Sequence, residues 1–193
     1  MKHLVFAAII LFACQSKKED TVRIGPEETH HIRQEVIKEV PVPTGDLCSW
    51  QVKFSPNGGA EQQVVDNILS SEESIYMLSY SFTSEPIARA LLEKSKNSHI
   101  EVILDASNKK GKGSKLNILM DSKAAVYIDD AHAIAHNKTV IIDLKKLLTG
   151  SFNFTNSAEH SNAENSLLLT CPSLAKTYLE DWKVHKEHSK RIH

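Results

Sequence analysis

Residues 99–106 read HIEVILDA, a run whose apolar side chains fall on both alternating faces. Successive strand residues point to opposite sides, so a strand this continuously apolar has to be covered on both. Other β-forming runs recur along the chain: WQVKFSP, SIYMLSYSF, AAVYIDD, KTVIID, LLTGSFNF and NSLLLT. Helical patterns lie among them. AEQQVVDNILSSEE places Val64, Val65, Ile68 and Leu69 at helical spacing. EPIARALLEKSKN predicts a second helix, with Ser84 as its cap and Pro86 in its first turn. A short apolar-periodic segment starts at Leu116, and SLAKTYLEDWKVHKEH closes the chain as an amphipathic helix. Strands alternating with helices predict an α/β fold, a mixed β-sheet flanked by helices on both faces.

The chain has 193 residues, enough for one domain with a substantial core plus appendages. Its formal net charge of -1 gives no global pull toward a polyanion, so any basic surface has to be local. The first residues are set apart. Lys2 and His3 precede an unbroken apolar run, Leu4 to Ala13. That is well short of the roughly 20 residues a membrane span needs, and it fits the apolar region of a secretory signal. The following LFAC resembles a bacterial lipoprotein box, which implies a lipid anchor on Cys14 and a chain held at the cell envelope. Gln15 after the cysteine, by resemblance to Gram-negative lipoproteins, implies the outer membrane facing the periplasm. Without lipid on Cys14, the protein would be periplasmic or secreted. Residues 1–13 are thus expected to be a signal peptide, 14–49 a polar tether and 50–193 the folded domain. A flexible tether of about 35 residues spans about 30 Å on average. With Cys14 lipidated, Cys48 and Cys171 remain as an even pair, and a disulfide between them is one of two open outcomes.

The chemistry concentrates in HNKTVIIDLKKLLTGSFN, 136–153. His136 and Lys138 are two apart and so share a strand face, as do Ser151 and Asn153. An imidazole beside an ammonium, with hydroxyl and amide donors near, suits work on an anion. The spacing H-x-K-x4-D-x6-G-S-x-N resembles the signature of the phospholipase D superfamily. The continuation SFNFTNSAEHSNAEN, the upstream YSFT at 80–83 and the basic loop after ILDA resemble its small single-motif bacterial endonucleases. The resemblance implies a phosphodiesterase with His136 as nucleophile, passing through a phosphohistidine. Lys138, Ser151 and Asn153 would attend the phosphoryl oxygens, and Glu164 would hold the other imidazole nitrogen. Asp143 and Gly150 read as structural members of the motif, Asp143 because strict alternation sends it away from Lys138. One motif supplies one histidine, whereas the reaction needs both a nucleophile and an acid. The resemblance therefore implies a homodimer whose two His136 residues meet.

Competing chemistry is weighed against this. HAIAH, 132–136, has metal-like spacing but does not read as a helix and lacks the glutamate of HExxH. The motif offers no clustered carboxylates for a two-metal nuclease. Asp129 and Asp130 read as a turn, and His185 and His188 as solvated residues of a terminal tail. Paired His30 and His31 also read as solvated. No cofactor and no metal are expected. Lys109, Lys110, Lys112 and Lys115 in NKKGKGSK suit the phosphate backbone of nucleic acid, the expected substrate, DNA or RNA. Phospholipid is the alternative substrate, although no exposed aromatic or amphipathic segment suggests a membrane-dipping surface. A non-catalytic envelope binding protein is the third reading.

Overall fold

The computed structural model describes residues 47–193; the expected signal segment, Cys14, His30, His31 and nearly all of the tether lie outside the described residues. The strands are β1 (Ser49–Ser55), β2 (Ser74–Ser79), β3 (His99–Asp105), β4 (Ala125–Asp129), β5 (Lys138–Ile142), β6 (Lys146–Gly150), β7 (Glu164–Thr170) and β8 (Lys190–Arg191). They form one sheet in the order β1-β7-β6-β5-β2-β3-β4-β8. The β2–β3 and β3–β4 pairings are parallel; the other pairings are antiparallel.

The helices are α1 (Ala60–Leu69), α2 (Glu85–Lys94), α3 (Leu116–Met120), α4 (Asn156–His160) and α5 (Pro172–His188), with a 3-10 turn at Ala106–Lys109. The alternation in HIEVILDA sorts the core into two layers. Val102 and Leu104 join Val64, Ile68, Ile87 and Leu91 beneath α1 and α2. Ile103, between them, points the other way and joins Leu78, Ile141, Leu147, Leu179 and Trp182 beneath α5. Each such apolar side chain contributes about 1.5–3 kcal/mol on burial. The mixed sheet with helices on both faces is therefore as the periodicity predicts. Ser84 caps α2 as expected, its hydroxyl accepting from the Ile87 amide at 3.2 Å.

Several local expectations are corrected. β2 stops at Ser79, and Tyr80 to Phe82 leave the sheet instead of extending the strand. The segment after Asn153 contains α4, whose Thr155 cap accepts from Ala158 N. The C-terminal residues are not a free tail. Trp182 is buried and its Nε1 donates to the Met77 carbonyl at 2.9 Å, which seats α5 on the sheet. The chain then lies along the open edge of β4, pairing Ile128 with Lys190, and Ile192 N donates to Val126 O at 2.8 Å. Unpaired edge amides and carbonyls are thereby satisfied. At the opposite edge, Trp50 and Phe54 on β1 are 68% and 61% exposed, an aromatic surface that the sequence reading had not anticipated. The β1–β7 register pairs Ser49 with Thr170, and the next residues out, Cys48 and Cys171, form a disulfide.

Candidate active site

Strand direction decides which residues can meet. β1, β2, β3, β4 and β6 end at the edge of the sheet where β5 and β7 begin. That one end therefore gathers Tyr80, Asp105, Asp129, Lys138, Gly150, Ser151 and Glu164, although they span much of the chain.

Lys138 opens β5 and is only 8% exposed. Its Nζ donates to the carbonyl of His136 at 2.6 Å and stands 5.3 Å from the centre of the Tyr80 ring. Burial pushes its ammonium below the ordinary lysine range, and the charge of Glu164 acts in the other direction. His136 precedes the strand and is exposed, its ring 4.7 Å from that of Tyr80. The aromatic face is thus shared by imidazole and ammonium, a favourable environment for a cation. The turn that presents His136 is held from three sides. Ala135 N donates to the buried Asp105 carboxylate at 2.8 Å. Tyr80 N donates to Asn137 O at 3.1 Å, and Asn137 Nδ2 approaches His185 Nε2 at 3.5 Å.

The second half of the motif turns at Gly150, whose φ of 144° and close approach to the Asn165 backbone exclude a side chain. Ser151 follows, its Oγ accepting from Asn165 N at 3.1 Å and Asn165 Nδ2 at 3.3 Å. The hydroxyl proton is left to donate elsewhere. Asn153 Oδ1 is buried and without a hydrogen-bond partner among the described residues. Glu164 accepts from Asn162 Nδ2 at 3.0 Å instead of from an imidazole, while acting electrostatically on Lys138. Asp143 lies beyond the far end of β5. Its carboxylate accepts from the amides of Glu72, Glu73 and Ser74 and the hydroxyl of Ser71.

The lysine loop is tied to this site through Asn108. The Asn108 amide accepts from Phe82 N and donates to Tyr80 O, joining the loop's first residue to the segment that carries the Tyr80 ring. Lys109, Lys110 and Lys112 are exposed. Lys115 differs, because its Nζ pairs with Glu85 at 3.1 Å.

The sequence reading gave Tyr80 no role, although YSFT marked its position. It also missed a second group. Asp129 is buried at the end of β4, and His132, His185 and His188 converge on it at 3.1, 2.8 and 3.2 Å. Burial pushes this carboxyl up, but hydrogen bonds from His185, His188, Ala131 N and His132 outweigh it and hold the group at about 2. Asp129 is thus no turn residue, and the three histidines are only partly exposed. Their sequence separation concealed them: one follows β4, and two lie on a single face near the end of α5.

Residues 64–185 match the family described as cardiolipin synthase, PLD-like domain. A phospholipase D of Rickettsia prowazekii is 43% identical over 141 residues, covering 72% of this chain and 69% of the relative. The mouse mitochondrial cardiolipin hydrolase is 27% identical over 144 residues, covering 74% of this chain and 63% of the relative. Among solved structures, Nuc from Salmonella typhimurium, a phospholipase D family member, superposes with a TM-score of 0.72 at 33% identity, over 75% of this chain and 98% of that one. Fold, motif and likeness agree, and the chain belongs to the phospholipase D superfamily as a phosphodiesterase.

Proposed function

We propose that the protein is a metal-independent nonspecific endonuclease of DNA or RNA, working as a homodimer through a phosphohistidine. The observation that carries this reading is the sharing of one sheet end by exposed His136, the buried Lys138 ammonium and the lysine loop. The His136 imidazole attacks phosphorus, forming an N–P bond as the bond to the leaving oxygen breaks. The partner subunit's His136 gives that oxygen its proton. The same group, now neutral, takes a proton from water, whose oxygen displaces the first imidazole and restores it. Lys138 and the Ser151 hydroxyl stabilise charge on the phosphoryl oxygens, and the Asn153 amide binds there too. Glu164 steadies the positive charge of the pair. Lys109, Lys110 and Lys112 hold flanking phosphates without reading sequence.

The fit of the domain to nearly the whole of Nuc supports an enzyme built on the same core. The bridged Cys48 and Cys171 support an oxidising location, in keeping with export and a lipid on Cys14 at the cell envelope. Phospholipid is the second reading, supported by the names of the Rickettsia and mouse relatives and by exposed Trp50 and Phe54.

The deciding experiment compares DNA, RNA and phosphatidylcholine or cardiolipin vesicles as substrates for the purified protein. It is run in excess chelator, at a temperature where circular dichroism shows the fold intact. Nucleic-acid cleavage is expected, with His136→Ala lowering it by at least about 10²–10⁴-fold. Headgroup release with nucleic acid left whole would transfer the assignment to phospholipid. Activity that needs a divalent ion while the fold is intact would overturn the metal-independent mechanism.

A further inference from the structure

We infer that Asp129, His132, His185 and His188 form a closed four-ligand site for a transition metal of the zinc class, joining the turn that presents His136 to α5. The donor atoms already converge. One ring nitrogen from each of His132, His185 and His188 and a carboxylate oxygen of Asp129 lie within 4.8 Å of one another. A tetrahedral zinc site, with bonds of about 2.0–2.1 Å, asks for a contraction to about 3.4 Å. The three rings pack together with centroids 4.9, 4.9 and 5.4 Å apart, so short side-chain movements close the site.

All three imidazoles turn a ring nitrogen toward the same carboxylate. His185 Nδ1 and His188 Nε2 address Asp129 Oδ2 at 2.8 and 3.2 Å, and His132 Nδ1 lies between the two carboxylate oxygens, 3.3 Å from Oδ1 and 3.1 Å from Oδ2. A cation among the four groups takes one lone pair from each and balances a carboxylate that has no lysine or arginine ion-pair partner among the described residues. Three imidazoles with one carboxylate form a nitrogen-rich set, which favours zinc-class ions over calcium or magnesium.

The surroundings resemble those of a metal ligand set. With His185 Nδ1 on the ion, its Nε2 carries the proton and faces the Asp181 carboxylate at 4.0 Å, an outer partner for the ring. Four protein ligands leave no open position, so the role is structural and separate from the chemistry at His136. Its consequence reaches the active site all the same. His132 lies four residues before His136, and α5 is seated on the sheet by Trp182. An ion between them fixes the segment that leads into β5.

The test uses the full-length chain, purified in detergent, stripped with chelator and titrated with Zn2+ alone. One tightly held Zn2+ per chain and a rise in Tm are expected. Co2+ in its place should give the intense visible spectrum of a tetrahedral nitrogen–oxygen site. In His185→Ala/His188→Ala, the stoichiometric binding and the Tm rise should both be lost. No binding and no Tm change at saturating Zn2+ in the unaltered chain would overturn the inference, leaving a hydrogen-bonded cluster. Equal binding by the chain and its double variant would overturn it as well, since the ion would sit elsewhere. The unaltered-chain titration and the Co2+ spectrum do not depend on the variant's folding.

Discussion

Asp143 and Leu144 both have left-handed backbone, with φ of 52° and 53°, at the turn between β5 and β6. An aspartate tolerates this region better than most residues, and here its side chain also organises another segment. Burial pushes the Asp143 carboxyl up, but the amides of Ser74, Glu73 and Glu72 and the Ser71 hydroxyl outweigh it and hold it below the usual aspartate range. A lowered folded value means that this stabilisation is complete above the unfolded aspartate pKa and is lost as pH falls through the folded one. Asp143→Asn keeps the shape and removes the charge. It is expected to cost about 1–2 kcal/mol near neutral pH, with the gap to the unaltered protein closing as pH falls through the carboxylate range. Urea unfolding at a series of pH values checks this, and a gap that stays constant would refute it. Asp143 is thus a motif position that holds the turn before β2, far along β5 from Lys138. Strict alternation hinted at that separation, but the partners in 71–74 could not be read from spacing.

At the scale of elements, β1 is a full-length edge strand. It lies at the sheet edge, pairs only with β7, and leaves Trp50 and Phe54 exposed. The Cys48–Cys171 bridge joins its start to the residue that caps α5, across 123 positions of sequence. Closing so long a loop restricts the unfolded chain, and such a bridge contributes about 2–4 kcal/mol. Cys48→Ser/Cys171→Ser should therefore lower Tm. Reductant should produce the same fall in the unaltered protein and none in the variant, which thermal unfolding with and without reductant would show. Equal melting of all four samples would mean that the bridge contributes nothing. The cysteine count brought the pair into view, but their adjacency follows from the register of Ser49 against Thr170. The helices and strands themselves were mostly legible, because hydrophobic period is a local property. The short α4 and the strand β8 were not, since a capped turn and an edge pairing have little periodicity to show.

For the whole molecule, one motif per chain makes association part of the proposed chemistry. Turnover per chain is expected to fall steeply on dilution, in step with dissociation measured by sedimentation. Adding excess His136→Ala protein should suppress the unaltered enzyme by forming mixed pairs. Turnover per chain that holds constant well below the dissociation range would refute the dimeric mechanism. The sequence alone determined the fold class and the residues of the motif. Burial on both faces is written into a run such as HIEVILDA, and His136, Lys138, Ser151 and Asn153 sit at short fixed spacings. Tertiary structure decided which groups meet across long intervals. It set the Tyr80 ring against His136 and Lys138, paired Lys115 with Glu85, and brought His185 and His188 to Asp129 across 56 and 59 residues. The physical reason is that side-chain period constrains only which face a residue takes. Strand order and the seating of α5 determine what lies opposite that face, and those depend on the packing of the entire sheet.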